Sequence, residues 1–250
     1  MGVRRPLIAG NWKMWGRLAD LEQIAQLAKA VPADPGVDVA LCLPATLIAP
    51  AAARFAGAVV AIGAQDVFPG GDAAQTGDVN AAMLADAGAR YVIVGHSERR
   101  RVHGESDDLV RRKAESVIAA GMTAIVCVGE TIEQRQAGQA CYVVRDQIRG
   151  SVPASASAAE VVVAYEPVWA IGTGLTPTAA EIEEVHAVMR RNLPGADPAA
   201  VRLLYGGSVK PSNAAEIFAV ANVDGGLVGG ASLNAADFTA TIAAHPAARL

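Results

Sequence analysis

Glu166 closes an apolar, β-type run, Val161–Tyr165, and is followed at once by Pro167 and by a loop containing Gly172 and Gly174. A carboxylate delivered by a buried strand into a glycine-hinged loop is placed as a general base beneath a lid. Other polar residues end short apolar runs in the same way. Asn11-Trp12-Lys13 follows Leu7–Gly10, Gly95-His96-Ser97-Glu98-Arg99 follows Tyr91–Val94, Gly206-Gly207-Ser208 follows Val201–Tyr205, and Gly229-Gly230 follows Gly226–Val228. If those runs are parallel strands, one cation, one imidazole, one carboxylate and two glycine pairs face one mouth.

The glycine pairs suit an anion, because backbone N–H groups can approach it closely and a helix N-terminus adds partial positive charge. Gly207, Ser208, Gly229 and Gly230, joined by the amide of Gly172, therefore read as a phosphate cradle. Of Lys13, Lys29, Lys113 and Lys210, only Lys13 follows directly on a predicted strand. No lysine ends the predicted strands 5, 6 or 7, which argues against a Schiff-base aldolase. His96 precedes a segment that should open a short helix, whose N-terminus disfavours imidazolium and keeps the ring neutral. His103, His186 and His245 read as structural.

The elements that must position these groups alternate. Strands are expected at Leu7–Gly10, Val37–Leu43, Val59–Ala64, Tyr91–Val94, Thr123–Val128, Val161–Tyr165, Val201–Tyr205 and Gly226–Val228, with the clearest helices at Leu18–Val31 and Glu181–Asn192. Strands alternating with helices imply βαβ crossovers and a parallel sheet. Eight such units in 250 residues fit a closed (β/α)8 TIM barrel, α/β in class, with residues 1–250 as a single domain. The open doubly wound alternative usually shows a glycine-rich nucleotide turn, and neither GxGxxG nor GxxxxGK[ST] occurs.

The hydrophobic fraction is 52% but aromatics are only 4%, so the core must be built from Ala, Val, Leu and Ile. A formal charge of −4 points to no nucleic-acid or membrane-surface partner, and an anionic substrate must be held by local groups. Cys42, Cys127 and Cys141 are too scattered for a disulfide framework or a zinc site, and read as reduced thiols of a cytoplasmic protein. Leu7–Ala9 is too short for a signal peptide, and Pro44 and Pro50 interrupt long uncharged stretches, so no membrane helix is expected.

Together GNWKM (Gly10–Met14), GHSERR (Gly95–Arg100), CVGE (Cys127–Glu130), AYEPVWAIGTG (Ala164–Gly174), YGGSV (Tyr205–Val209) and GLVGGASL (Gly226–Leu233) resemble the triosephosphate isomerase family over essentially the whole chain. The resemblance implies interconversion of D-glyceraldehyde 3-phosphate and dihydroxyacetone phosphate through an enediol(ate), in glycolysis and gluconeogenesis, with no metal and no organic cofactor. It implies that Glu166 abstracts a carbon-bound proton, neutral His96 polarises the carbonyl, Lys13 offsets enediolate charge and Asn11 assists at the substrate oxygens. Glu98, Ser97, Cys127, Tyr205, Gly207 and Thr76 are implied as supporting residues, Glu98 by holding Lys13. The loop Pro167–Pro177 would close over the phosphate. A homodimer is implied, with loop Gln65–Val79 reaching the partner's site through Thr76.

The chain departs from the family pattern at Leu175-Thr176-Pro177, where Lys-Thr-Ala is frequent. The resemblance implies that the Tyr205 hydroxyl accepts a hydrogen bond from the N–H of residue 177 in the closed lid, and proline has none. Trp15 stands where Asn is frequent, and Ala73–Gly77 where Gly-Ala-Phe-Thr-Gly is. Two further readings remain open at this point: an isomerase of a longer phosphorylated sugar such as a tetrulose phosphate, and a sugar-phosphate-binding barrel without catalysis.

Overall fold

The computed structural model describes residues 4–173, 175–195 and 197–250; Gly174, the second loop glycine, lies outside the described residues. The strands are β1 (Leu7–Asn11), β2 (Asp38–Leu43), β3 (Val60–Ala64), β4 (Tyr91–Val94), β5 (Thr123–Val128), β6 (Val161–Tyr165), β7 (Arg202–Tyr205) and β8 (Gly225–Val228). They close into a parallel barrel in sequence order, with β1 pairing both β2 and β8. β4, β5 and β6 have the expected bounds, and each of the others differs by one residue at one end, as where Asn11 joins β1.

Period-2 alternation explains why these runs close around two separate cores. Leu7, Ala9, Ala40, Cys42, Ile93, Ile125, Cys127, Val162, Ala164, Leu204 and Leu227 form a cluster inside the barrel. Their neighbours Ile8, Val39, Leu41, Val92, Val94, Val126, Val161 and Val163 point outward and pack with the helices. Small residues, Ala and Cys, fill much of the interior, and this is where the scarcity of aromatics is used.

The helices include α1 (Leu21–Ala30), α2 (Ala45–Arg54), α3 (Ala81–Asp86), α4 (Ser97–His103), α5 (Asp107–Ala119), α6 (Ile132–Gln136), α7 (Ala140–Ser151), α8 (Ala179–Asn192), α9 (Ala214–Phe218) and α10 (Ala235–Ala243). The expected Leu18–Val31 helix divides into a 3-10 turn, Leu18–Asp20, and α1. The Arg17 N–H donates to the Asp20 carboxylate at 2.7 Å, so Asp20 closes its own turn before the α-helix starts. Conversely α8 starts two residues before Glu181, because Thr178 and Glu181 form a reciprocal capping box. Among the described residues no helix is long and apolar enough to cross a membrane.

His186 on α8 is fully buried against Tyr165, edge to face at 5.9 Å. Its Nδ1–H donates to the Asn222 carbonyl at 3.0 Å, and Nε2 is buried without a partner among the described residues. A second ring proton would have no acceptor, and burial pushes the pKa down to about 4. The folded value lies below the unfolded one, so this contribution to stability is whole above about pH 6.5 and is lost as pH falls towards 4. By pH 5 the loss from this one ring should be on the order of 2 kcal/mol. We expect thermal midpoints of the parent to fall between pH 7.5 and 5, and the fall to be shallower in His186→Gln. Parallel curves for the two proteins would remove His186 as the cause.

Candidate active site

The inward parity of each strand, carried one step past its end, builds most of the site. On β1 the series Leu7, Ala9 leads to Asn11; on β6 Val162, Ala164 leads to Glu166; on β8 Leu227 leads to Gly229. Asn11, Glu166 and Gly229 line one cavity of about 310 Å3 at the C-terminal mouth of the barrel, with Lys13, His96, Gly172, Gly207, Ser208 and Gly230.

His96 does not follow that rule. It has the outward parity of Val92 and Val94, and it reaches the cavity because Gly95 turns the chain at φ +66°. Glycine adopts this left-handed conformation freely, and a side chain at residue 95 would also strike Val110 at 2.7 Å. His96 then caps α4, its Nδ1 accepting the Glu98 N–H at 3.2 Å. That bond leaves the single proton of a neutral ring on Nε2, which lies 2.8 Å from Glu166 Oε1.

Glu166 is 2% exposed. Its Oε2 accepts the Ser97 N–H at 2.9 Å, and the Ser97 hydroxyl stands 3.4 Å from Oε1. Burial alone would raise its pKa, but His96, the Ser97 N–H and Lys13 outweigh burial and hold it below the ordinary carboxylate range. Burial likewise opposes charge on His96, while the Glu166 and Glu98 carboxylates outweigh it and lift that ring above its usual value. The raising influences on His96 are all neighbouring carboxylates or their hydrogen bonds. The largest of them depend on where Glu166 sits.

Lys13 takes φ +52°, a strained conformation for a residue with a side chain, on the order of 1 kcal/mol. Asn11 Oδ1 accepts the Lys13 N–H at 2.9 Å and supports the turn. The Asn11 carbonyl oxygen is thus engaged, and its amide NH2 is the group left to meet a ligand. Lys13 Nζ donates to Glu98 Oε1 at 2.6 Å. Cys127 lies buried inside the barrel on β5, and burial together with the charge of Glu166 pushes its thiol far up.

The remaining expected residues fall as follows. Gly207 packs so closely on the Tyr205 hydroxyl that an added Cβ would lie 2.2 Å from it. Tyr205 Oη is buried without a hydrogen-bond partner among the described residues, and Pro177 nearby in sequence to the lid's end is buried too. Thr76 is exposed and lines neither this cavity nor the second one, so the structure does not bring it to its own chain's site. That second cavity, about 470 Å3, shares Asn11, Lys13 and His96 and runs on past Gln65, Phe68 and Val102.

The sequence reading gave no role to the group that ties down the start of the lid. Glu130, fully buried, accepts the Trp169 indole N–H at 2.9 Å, the Tyr165 hydroxyl at 3.1 Å and Arg135 Nε at 2.9 Å on one oxygen. Glu130 sits in the CVGE motif, and a carboxylate two residues past the end of a buried strand was its only signal. Gly129 beside it passes so close to β6 that a Cβ would meet the Glu166 carbonyl oxygen at 1.7 Å.

Residues 6–245 match the family model described as triosephosphate isomerase. The chain is 61% identical to the triosephosphate isomerase of Afipia carboxidovorans over 98% of this chain and 99% of that one. It is 57% identical to that of Bradyrhizobium diazoefficiens over 94% and 96%. The crystal structure of triosephosphate isomerase from Bartonella henselae superposes with a TM-score of 0.90 at 42% identity, covering 96% of this chain and 98% of that one.

The orphaned Tyr205 hydroxyl yields a prediction. A buried hydroxyl without a partner costs on the order of 1 kcal/mol, and Tyr205→Phe removes that cost. Tyr205→Phe should melt at or slightly above the parent temperature and keep kcat within about threefold, since Pro177 offers no N–H for the hydroxyl to lose. Pro177→Ala, which restores an N–H, should change kcat or the inhibition constant of inorganic phosphate. A large loss of kcat in Tyr205→Phe would mean that the hydroxyl has another partner during turnover.

Proposed function

The chain belongs to the triosephosphate isomerase family, and on that premise we propose that Glu166, His96, Lys13 and Asn11 carry its proton transfers. The reaction is the interconversion of D-glyceraldehyde 3-phosphate and dihydroxyacetone phosphate, a step of glycolysis. The observation that supports these roles best is the convergence of one carboxylate, one imidazole Nε2–H and one ammonium on a single small cavity rimmed by Gly207, Ser208, Gly229 and Gly230. The names of the relatives favour the three-carbon substrate over a longer phosphorylated sugar.

The roles follow from the atoms. In the structure Glu166 rests against His96 Nε2 and the Ser97 N–H. To act as a base its carboxylate turns from both towards the substrate carbon and takes the proton beside the carbonyl. His96 Nε2–H, freed of Glu166, then donates to the carbonyl oxygen as negative charge grows there. The move also removes the larger of the two carboxylate influences that lift the His96 pKa, leaving burial and Lys13, which favour the neutral ring, against Glu98 alone. Lys13 offsets the enediolate charge, the proton of the neighbouring hydroxyl passes to the former carbonyl oxygen by way of His96 Nε2, and the same Glu166 returns the carbon-bound proton to the neighbouring carbon. Gly172, Ser208, Gly229 and Gly230 hold the phosphate through backbone N–H groups, and the lid Pro167–Pro177 excludes water that would screen these charges.

A homodimer through loop Gln65–Val79 is the assembly that best fits the second cavity. That groove reaches Lys13 and His96, and Met14 and Val102 on its wall are 94% and 66% exposed. An exposed Thr76 that lines neither of these two cavities of its own chain is free to enter a partner's groove. A glycolytic role supports a cytoplasmic location.

Two measurements test these assignments. Glu166→Gln should lower kcat by about a thousandfold or more while the inhibition constant of inorganic phosphate stays within about twofold. Retention of proton exchange between substrate and solvent in that variant would remove Glu166 as the base. For assembly, sedimentation of the parent should give twice the chain mass, and Thr76→Arg should shift it to monomer and lower kcat/KM about tenfold or more. A fully active monomer would end the dimer reading.

A further inference from the structure

We propose that Arg100 is a positioning residue for the reaction, holding the peptide that aims His96. The inference rests on His96 being the group that polarises the carbonyl. The Arg100 guanidinium grips the peptide that leads into that residue. Its Nε donates to the Gly95 carbonyl at 2.9 Å, while the Arg100 backbone N–H makes the ordinary first-turn bond of α4 to the His96 carbonyl at 3.0 Å. Gly95 is the residue whose positive φ swings His96 into the cavity against the parity of β4. The guanidinium thus fixes the turn on which the ring's direction depends.

The other donors of the same plane reach three more elements. Nη2 donates to the Cys127 carbonyl at 3.2 Å and to the Ser151 hydroxyl at 2.9 Å, and Nη1 to Asp107 Oδ1 at 2.6 Å. Ser151 in turn donates to Asp107 Oδ1 at 3.1 Å. Cys127 is the inward residue of β5, one strand from Glu166, and Asp107 opens α5. One guanidinium therefore sets the distance between the end of β4, which carries His96 and the Ser97 N–H, and the end of β5, which flanks Glu166. Asp107 balances its charge while the carbonyls use its geometry. Arginine suits this place because its donors lie in one rigid plane; a lysine ammonium can satisfy Gly95 or Asp107 but has no second arm at a fixed angle for Cys127. Arg100 lines neither cavity at the mouth, so it acts through His96 and Ser97 and not on the substrate.

A kinetic cycle with His96 separates positioning from general support of the fold. Arg100→Lys should lower kcat by about ten- to a hundredfold, because small misplacements of a reacting group are costly. KM and the inhibition constant of inorganic phosphate should stay within about twofold, since the phosphate cradle is on β7 and β8. In a His96→Gln background the same Arg100→Lys substitution should cost less than about threefold, because the group it aims is already gone. Arg100→Met should show the same pattern more strongly. If it yields no soluble protein, Arg100→Lys decides alone. Additive losses in the cycle, a parent-like kcat in Arg100→Lys, or a loss of phosphate affinity as large as the loss of kcat would each overturn the proposal. Parent-like activity of His96→Gln by itself would instead overturn the role of His96, and the two failures are thereby distinct.

Discussion

An ionised carboxylate almost wholly removed from water is the constraint on which the rest of this structure turns. Burying such a charge without partners costs many kcal/mol, and an unpartnered carboxylate would simply take up a proton and cease to be a base. Glu166 keeps its charge because the Ser97 N–H, the His96 Nε2–H and the nearby Lys13 outweigh burial. Each of those groups needs its own support. Ser97 and His96 need the start of α4 to face inward, which needs Gly95. Lys13 needs a strained backbone that Asn11 props and an ion pair with Glu98. The carboxylate is thus held by a chain of local conformations, and the barrel is the frame that brings their ends together.

The frame was legible because its signal is the simplest in the chain. Strand sides alternate with period two, and runs such as Val161–Tyr165 are too apolar and β-branched to lie anywhere but between two cores. Counting eight such runs leads to the barrel, and the same parity carried past a strand end leads to Asn11, Glu166 and Gly229. Helix starts were less legible. Thr178 and Glu181 announce a capping box that moves the start of α8 forward, whereas the Asp20 turn that delays α1 is visible only once Arg17 is seen to bond to it.

What stayed hidden were residues whose partners lie far along the chain. Arg100 was part of the GHSERR motif, yet its contacts at Cys127 and Ser151 come from other βα units, and no spacing rule joins them. Glu130 is a similar case, meeting Arg135, Tyr165 and Trp169 around a single oxygen. His96 shows the opposite risk. Its placement was expected from its company, but strand parity alone would have sent it outward, and only the glycine before it allows the expected result.

The two ends of the lid loop are held by different physics. At the first end Trp169 donates to Glu130, a buried carboxylate that Arg135 also engages. Any movement of that indole must give up a charge-assisted hydrogen bond, so the first hinge has an enthalpic stop. At the second end Pro177 fixes its own φ and has no N–H, while the Tyr205 hydroxyl lies buried and without a partner among the described residues. Proline narrows the conformations available to the loop in every state, so less entropy is surrendered wherever that end is ordered. In this chain, then, one end of the loop is held by a hydrogen bond that any movement must break and the other by conformations that were never available.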